Sequence, residues 1–288
     1  MVDPHIAIHM YLGLLQRALV RFLDHDTRVP TEKDLANTED YFASWTGDLY
    51  TKTNALTVAS FGAFATLERA MEHVVIRGVP GDIVETGVWK GGIAAYVQGF
   101  LTAHDLLNCG RRVVLFDTFA GIPPPRTHAK KDAKWTGKFV ATESEVQSTF
   151  TRLGLSMNGV EMVKGNFSAT LPRASFPSGI SVLRFDADTY DSTHDVLTHL
   201  YPHVSPGGVV IVDDIRLPGC REALFRFRST HRIRDPLMLV RGRGRWKHQF
   251  KGVFWVKGSS ATASGCSLPV SGCVRMREET EAGWKQDE

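Results

Sequence analysis

The sequence predicts an α/β protein whose sheet is mostly parallel and is covered by helices on both faces. Short, nearly continuous apolar runs recur along the chain, and segments of helical periodicity separate most of them. Such runs are typical of strands buried on both faces, and their alternation with helices is typical of a doubly wound parallel sheet. The chain has 288 residues, of which 43% are hydrophobic. This length and composition favour one large domain over two small ones.

The first predicted element is an amphipathic helix over residues 6–23, where apolar side chains recur at three- and four-residue steps. Packing on the core or forming a dimer is favoured for this helix over lying on a membrane surface. Residues 24–55 are polar and turn-rich, so they form either a flap or a long surface connection. Helical periodicity returns over residues 56–77 and ends at Gly78 and Pro80.

Five apolar runs predict the strands of the parallel sheet. Two later extended segments have no obvious helix after them, so we expect an antiparallel hairpin at the edge of the sheet. After Lys257 the chain is rich in Ser, Gly and charged residues, which indicates a disordered tail, with a partner-binding tail as the alternative. The chain therefore divides into a helix and flap segment (1–58), a sheet domain (59–257) and the tail (258–288). The parallel strands are predicted at residues 82–85, 112–116, 160–164, 181–185 and 209–212, and the hairpin at 238–240 and 252–256.

The composition argues against several classes of function. Lys and Arg number 34 against 31 Asp and Glu, so the charge balance does not make nucleic acid or a membrane the main partner. The sequence has neither an apolar run of membrane-spanning length nor a secretory signal pattern, which predicts a cytoplasmic protein. The basic run at residues 241–251 is more typical of a solvated hairpin tip than of a nucleic-acid site. Four cysteines lack zinc-site spacing and are expected to be free thiols: Cys109, Cys220, Cys266 and Cys273.

A glycine-rich segment, ETGVWKGG at residues 85–92, follows the first predicted core strand and precedes a helix. Glycines at such a turn let a ligand approach backbone N–H groups at the helix N-terminus, although a purely structural turn also prefers glycine. The spacing departs from the G-x-G-x-x-G fingerprint of dinucleotide-binding proteins. Asp117 follows the next strand and is placed to accept hydrogen bonds from a ribose, the alternative being a helix or turn cap. The two features together are stronger evidence than either one alone.

Four acidic residues follow the two later core strands. Asp186 and Asp188 come after one strand, and Asp213 and Asp214 come after the next. The carboxyl ends of adjacent parallel strands face the crevice in which α/β sheets bind ligands, so we expect the four carboxylates to converge there. Such a cluster repels itself unless a cation neutralises it, and hard oxygen ligands suit Mg²⁺, Mn²⁺ or Ca²⁺. The alternative is that these acids only cap a helix and start a turn.

Four motifs occur in order along the chain: GDIVETGVWKGG (81–92), VVLFDTFAGIPPP (113–125), LRFDADTYDST (183–193) and LYPHVSPGGVVIVDDIRLPGCREALFRF (200–227). Together they resemble the macrocin or mycinamicin O-methyltransferases, the TylF-type family, and the resemblance covers residues 11–257. It implies a Rossmann-like class I methyltransferase fold with a helical N-terminal extension. It also implies that the 59–257 domain transfers a methyl group from S-adenosylmethionine to a hydroxyl, commonly on a macrolide or aminocoumarin sugar, with Mg²⁺ or another hard divalent cation.

The resemblance further implies roles for individual residues. Asp186, Asp213 and Asp214 correspond to metal ligands, and Asp188 corresponds to the general base, with Asp186 as the alternative base. We expect a small-molecule acceptor with vicinal hydroxyls, because these can chelate a metal that fixes the acceptor and lowers its hydroxyl pKa. A homo-oligomer is compatible with the N-terminal helix. The cofactor-binding positions implied by the family motifs are Glu85, Thr86, Gly87, Trp89, Gly91, Gly92, Asp117, Thr118, Asn166, Phe167 and Asp186.

The chain departs from the family pattern at three motif positions, and also in the linker at residues 126–142 and in the extra tail. Ala187 stands where the family has glycine between two aspartates, Ile215 stands where it has tyrosine, and Asn166 stands where it has tryptophan. The isoleucine is expected to remove an aromatic hydroxyl beside the metal site, so an antibiotic sugar is not assumed as the acceptor. Two other functions compete with methyl transfer. A nicotinamide-dependent oxidoreductase should show the missing glycine fingerprint, and a noncatalytic protein of this fold should have lost some acids of the cluster.

Overall fold

The computed structural model describes residues 3–20, 55–126, 132–241 and 250–258. Seven strands form one sheet: β1 (Asp82–Thr86), β2 (Val113–Asp117), β3 (Val160–Lys164), β4 (Ile180–Phe185), β5 (Val204–Val212), β6 (Met238–Arg241) and β7 (Phe250–Val256). Their order is β3-β2-β1-β4-β5-β7-β6; β1 to β5 are parallel, and β7 is antiparallel to β5 and β6. The predicted parallel sheet with an antiparallel edge is confirmed. The strand order reverses between β1 and β4, where sheets of this kind bind ligands.

Helices cover the sheet, and their ends depend on local capping. The helix predicted over residues 56–77 begins only at Phe61, because the Ser60 side chain accepts a hydrogen bond from the Ala63 N–H and caps the helix there. The strand predicted at 209–212 begins earlier, at Val204. The described helices are α1 (Pro4–Leu19), α2 (Phe61–Ile76), α3 (Gly92–Ala103), α4 (Glu143–Arg152), α5 (Phe167–Thr170), α6 (Tyr190–Leu200) and α7 (Pro218–Thr230).

Two hydrophobic clusters lie on the two faces of the sheet. Neighbouring residues along a strand alternate between them, as Ile83 and Val84 of β1 do. One cluster includes buried side chains of α1, α2, α3 and α4, and the other includes those of α6 and α7. The parallel strands therefore have apolar residues on both faces, which explains their continuous apolar sequence.

The N-terminal helix α1 packs on the sheet domain. Its Leu12, Leu15 and Leu19 side chains are buried in the same cluster as α2 and α3. Gln16 donates a hydrogen bond of 2.8 Å to the Tyr96 hydroxyl of α3. The prediction of a core-packing helix is therefore confirmed for one face of α1, while Met10 and Leu14 stay exposed on another.

Several sequence-based predictions fall outside the described part of the chain. These are the flap up to residue 54, the tail after Gly258, Cys266, Cys273 and most of the basic run at 241–251. Cys109 and Cys220 are free thiols, as predicted. Among the described residues, no helix is long and apolar enough to cross a membrane.

Candidate active site

A cavity of about 380 Å³ opens at the carboxyl ends of β1, β2, β4 and β5. Its volume falls within the range of pockets that bind small molecules. It brings together residues predicted from separate segments of the chain. The predicted residues that line it are Glu85, Gly87, Trp89, Asp117, Thr118, Asn166, Phe167, Asp186, Asp188, Asp213 and Asp214.

Three residues predicted to bind the cofactor do not line this cavity. Thr86 is fully buried. Gly91 and Gly92, at the end of the glycine-rich segment 85–92 (the glycine loop), are buried as well. A side chain on Gly92 would come within 2.4 Å of the Leu56 carbonyl oxygen, and one on Gly91 would come within 2.7 Å of Val146. The structure thus shows a packing role for these two glycines, and their contact with the cofactor stays a prediction.

Gly87 lets the glycine loop pass close to the end of β4. Its φ is +79°, and a Cβ there would lie 1.9 Å from the Asp186 carbonyl oxygen. No other residue fits this position without displacing the backbone that carries the acidic cluster. The glycine loop and the Asp186 segment are therefore packed directly against each other.

Asp117 anchors the glycine loop. One of its oxygens, Oδ2, accepts hydrogen bonds from the backbone N–H groups of Val88 and Trp89 at 2.7 and 3.2 Å. Its Oδ1 accepts another from Phe119 at 2.8 Å. Trp89 has a φ of 46°, a conformation that costs energy outside glycine, and the bond to Asp117 stabilises it. A ribose hydroxyl would share a carboxylate that already holds this loop.

Three carboxylates meet beside the loop. One oxygen from each of Asp186, Asp188 and Asp214 lies within 4.8 Å of the other two. Asp188 has a φ of 55°, and its N–H donates to Asp214 Oδ2 at 3.0 Å, so the strained backbone is bonded to the cluster. Asp213 lies outside this group of three, although it was predicted as a metal ligand. Neither Asp213 nor Asp214 caps α7, whose N-cap is Leu217, so the capping alternative is wrong for that helix.

Arg184, which the sequence analysis missed, lies in the middle of the site. Its side chain is buried, and its Nη1 donates to Glu85 Oε1 at 2.7 Å. Its Nη2 donates to Asp186 Oδ2 at 3.1 Å and to Asp213 Oδ2 at 3.0 Å. The available signal was a single charged residue inside the apolar run of β4. A charge buried in a central strand needs partners, and here the partners are the carboxylates of Glu85, Asp186 and Asp213.

The acids of the site have raised pKa values. Burial raises the pKa of Glu85 to about 8, against the opposing effect of Arg184. Burial and the neighbouring charge of Asp214 raise the pKa of Asp186 to about 7, and burial and Asp188 raise that of Asp214 to about 7. Burial and the charges of Asp186 and Asp213 raise the pKa of Asp188 well above its usual range. The described lining holds eight carboxylates and three arginines, so negative charge is in excess.

The residues fit both groups that the sequence resemblance implies, a divalent cation and S-adenosylmethionine. Hard carboxylate oxygens in excess of local positive charge suit a divalent cation such as Mg²⁺. On the cofactor side, Glu85 is 4% exposed and lines the cavity, and its Oε2 has no hydrogen-bond partner among the described residues. An ammonium group in the cavity would satisfy that oxygen.

The outer wall of the cavity contains residues that were not predicted. Arg126 joins it to α6, since its N–H donates to Asp191 at 2.5 Å and its guanidinium to Asp195 at 2.6 Å. Trp135 also lines the cavity. Ile215 does not line the cavity, because its side chain is fully buried in the core, and the predicted loss of an aromatic hydroxyl beside the metal site stays a prediction.

Comparison with known proteins agrees with this geometry. Residues 51–249 match the family model described as Macrocin-O-methyltransferase (TylF). The chain is 35% identical over 268 residues to the mycinamicin III 3''-O-methyltransferase of Micromonospora griseorubida. The match covers 88% of this chain and 98% of that protein. It is 34% identical over 252 residues to the 8-demethyl-8-(2,3-dimethoxy-alpha-L-rhamnosyl)-tetracenomycin-C 4'-O-methyltransferase of Streptomyces olivaceus, covering 83% of this chain and 92% of that one.

Solved structures show the same relationship. The O-methyltransferase NovP superposes with a TM-score of 0.71 at 32% identity, over 87% of this chain and 99% of that one. The calicheamicin methyltransferase CalS11, at 21% identity and a TM-score of 0.57, shares the fold. The matched length, the identity and the ordered motifs lead to one assignment: this chain belongs to the TylF family of S-adenosylmethionine-dependent O-methyltransferases.

Proposed function

We propose that this methyltransferase acts on a sugar hydroxyl of a small molecule and that it requires a divalent cation. The observation that carries the cation requirement is the group of three carboxylate oxygens, from Asp186, Asp188 and Asp214, beside the glycine loop. Sugar specificity is supported by a relative whose name specifies a rhamnosyl group. A cytoplasmic location and a homo-oligomeric state remain predictions from the sequence.

In this proposal Asp186, Asp213 and Asp214 hold the cation. Asp213 borders the group of three, because its Oδ2 and that of Asp186 share the same Arg184 nitrogen. When bound, a hard divalent cation polarises an acceptor hydroxyl, lowers its pKa and orients a vicinal diol. Glu85, Gly87 and Asp117 hold the cofactor against the glycine loop. The glycine loop leads into α3, and the N-terminus of that helix is the partially positive end of the helix dipole.

Asp188 takes the proton of the acceptor hydroxyl in this proposal. Its carboxylate lies in the same cluster as two proposed cation ligands, so an acceptor held there is within reach. Burial and neighbouring negative charge raise the pKa of Asp188. A general base of raised pKa has a stronger tendency to accept a proton, provided that it is ionised when the acceptor arrives. Asp188 would be ionised more readily once the charge of its neighbours Asp186 and Asp213 is offset by a cation held there.

Calorimetry and a methylation assay test the proposal together. We expect S-adenosylhomocysteine to bind with micromolar affinity or better, which is about −8 kcal/mol. A panel of glycosides and catechols with radiolabelled S-adenosylmethionine should identify acceptors with vicinal hydroxyls, and EDTA should abolish their methylation. Methylation of glycosides that persists in EDTA would contradict the cation requirement, and methylation of catechols alone would contradict the sugar acceptor.

A further inference from the structure

Arg184 occupies the point where the cofactor side and the cation side of the cavity meet. In the sheet it lies directly opposite Glu85, its partner in the register of β1 and β4. This is also the place where the strand order reverses. Backbone register therefore places the guanidinium between a cofactor-side carboxylate and the carboxylates that follow β4 and β5.

The guanidinium makes hydrogen bonds that an ammonium could not reproduce. Nη1 bonds to Glu85, and Nη2 bonds to both Asp186 and Asp213, with distances between 2.7 and 3.1 Å. Arginine presents several donors in a rigid planar fork, whereas lysine presents one nitrogen at the end of a flexible chain. The substitution Arg184→Lys would keep the charge but would lose the simultaneous contact with both sides of the site.

Burial of this ion pair costs desolvation free energy, so each charge needs a partner. The Arg184 and Glu85 side chains are 5% and 6% exposed, so neither carries its charge in water. A buried ion pair adds little net stability, and removing one partner leaves an uncompensated charge. One buried guanidinium thus fixes the positions of three carboxylates, and the proposed reaction uses all three.

We propose that Arg184 is a positioning residue that couples the cofactor-binding carboxylate Glu85 to the cation-binding carboxylates Asp186 and Asp213. This inference rests on the proposed function, and it adds a specific role for a residue that contacts neither acceptor nor methyl group in that scheme. Its consequence is that a change at Arg184 disturbs both binding sites at once.

Arg112 provides a matched control. It also forms a forked contact, in which Nε and Nη2 both donate to Asp82 Oδ2 at 3.1 and 2.6 Å. That contact lies at the amino ends of the strands, since Asp82 begins β1 and Arg112 precedes β2. The Arg112 side chain is 40% exposed, against 5% for Arg184, so Arg112→Lys perturbs the forked contact of a more exposed arginine at the end of the sheet opposite to the cavity.

The test compares Arg184→Lys with Arg112→Lys in the full-length protein. S-adenosylhomocysteine affinity is measured by calorimetry, Mn²⁺ affinity by electron paramagnetic resonance, and melting temperature by differential scanning fluorimetry. We expect Arg184→Lys to weaken Mn²⁺ binding by about 10- to 100-fold, the usual effect of losing a residue that orients metal ligands. S-adenosylhomocysteine binding should weaken as well. Arg112→Lys should lower only the melting temperature.

A second variant keeps the inference testable if Arg184→Lys does not fold. Asp213→Asn leaves Arg184 in place but removes a charge from the cation side, and the coupling predicts that it also weakens S-adenosylhomocysteine binding. Equal ligand affinities in wild type, Arg184→Lys and Asp213→Asn would overturn the inference while leaving the proposed function intact. A wild-type protein that binds S-adenosylhomocysteine but no Mn²⁺ would contradict the proposed cation requirement and the inference with it.

Discussion

At the scale of single residues, Asp188 differs from the other carboxylates of the site in its backbone conformation. Its backbone is in the left-handed region, its N–H bonds to Asp214, and its side chain faces the cavity. Backbone strain at a non-glycine residue persists only where the surrounding structure holds it, and it is often found at active sites. These features suit a residue whose oxygen must lie at one fixed place relative to the proposed cation ligands.

Asp188→Asn separates proton removal from cation binding. The amide keeps the shape of the side chain but cannot accept a proton, so we expect turnover to fall by about 10²-fold or more. S-adenosylhomocysteine should still bind, and excess Mg²⁺ should not restore the rate. Asp214→Ala is the matched variant, because its loss should be partly rescued by excess Mg²⁺. Full activity of Asp188→Asn would show that another group takes the proton.

The raised pKa values predict how pH affects the ligand-free protein. Unfolded carboxyl groups titrate near pH 4, whereas Asp186 and Asp214 titrate at about 7 and Glu85 at about 8 in the fold. Between these limits the folded state binds more protons than the unfolded state, so the free energy of unfolding decreases as pH rises. A cation competes with those protons, and Mg²⁺ should raise the melting temperature more at about pH 8 than at about pH 6. Equal shifts at the two pH values would contradict this account.

At the scale of elements, the glycine loop and the strand ends depend on close backbone approach. Gly87 and Gly110 have nearly the same φ, +79° and +80°, but a Cβ on Gly110 would meet nothing within 4 Å. Gly110→Ala therefore reports backbone strain alone, about 1–2 kcal/mol. Gly87→Ala adds a clash with Asp186 and should be more destabilising and lose S-adenosylhomocysteine binding. Chemical denaturation and calorimetry measure both effects, and similar results for the two variants would mean that the loop can move away.

The N-terminal helix α1 packs on the core of the sheet domain through one face. Leu12 of α1 is 1% exposed, whereas Leu14 on the same helix is 55% exposed. Leu12→Ala should cost about 2–5 kcal/mol, the usual range for a buried leucine. Leu14→Ala should change the free energy of unfolding by no more than about 0.5 kcal/mol. If urea denaturation gives equally small effects for both, α1 folds independently of the sheet domain.

At the scale of the whole molecule, the last strand of the described sheet, β7, ends at Val256. The last strand pairs with β5 and β6, and Lys257 donates to the Tyr201 and Val204 carbonyl oxygens near the start of β5. These contacts complete the antiparallel edge before the residues of the predicted tail. The domain boundary proposed from the sequence is therefore open to a direct test.

Truncation after Lys257 is expected to leave the melting temperature nearly unchanged. The removed residues are rich in Ser, Gly and charged side chains and have little apolar periodicity, so they have little surface to bury against the cost of ordering. Differential scanning fluorimetry of the truncated and full-length proteins measures this. A large decrease would show that the tail packs on the domain and that the boundary lies elsewhere.

The local pattern of the sequence was sufficient for much of the fold and part of the site. The apolar runs predicted the seven described strands, and the rule that parallel strands end at one edge predicted that Asp186, Asp188, Asp213 and Asp214 converge in one crevice. Hydrophobic periodicity predicts the type of each element, and the order of elements along the chain predicts which residues follow each strand, so both can be read from neighbouring residues alone. Element ends were less accurate, as at Phe61, because a single cap decides them.

Only the tertiary structure decided how the charges of the site are arranged. The pairing of Arg184 with Glu85 depends on the register of β1 against β4, which joins residues 99 positions apart. The bonds of Asp117 to the glycine loop and of Arg126 to α6 likewise join distant segments, and the burial of Ile215 follows from packing. A sequence pattern shows which residues lie on one strand or helix face. It does not show which side chains from different elements meet, because that depends on register, packing and burial together.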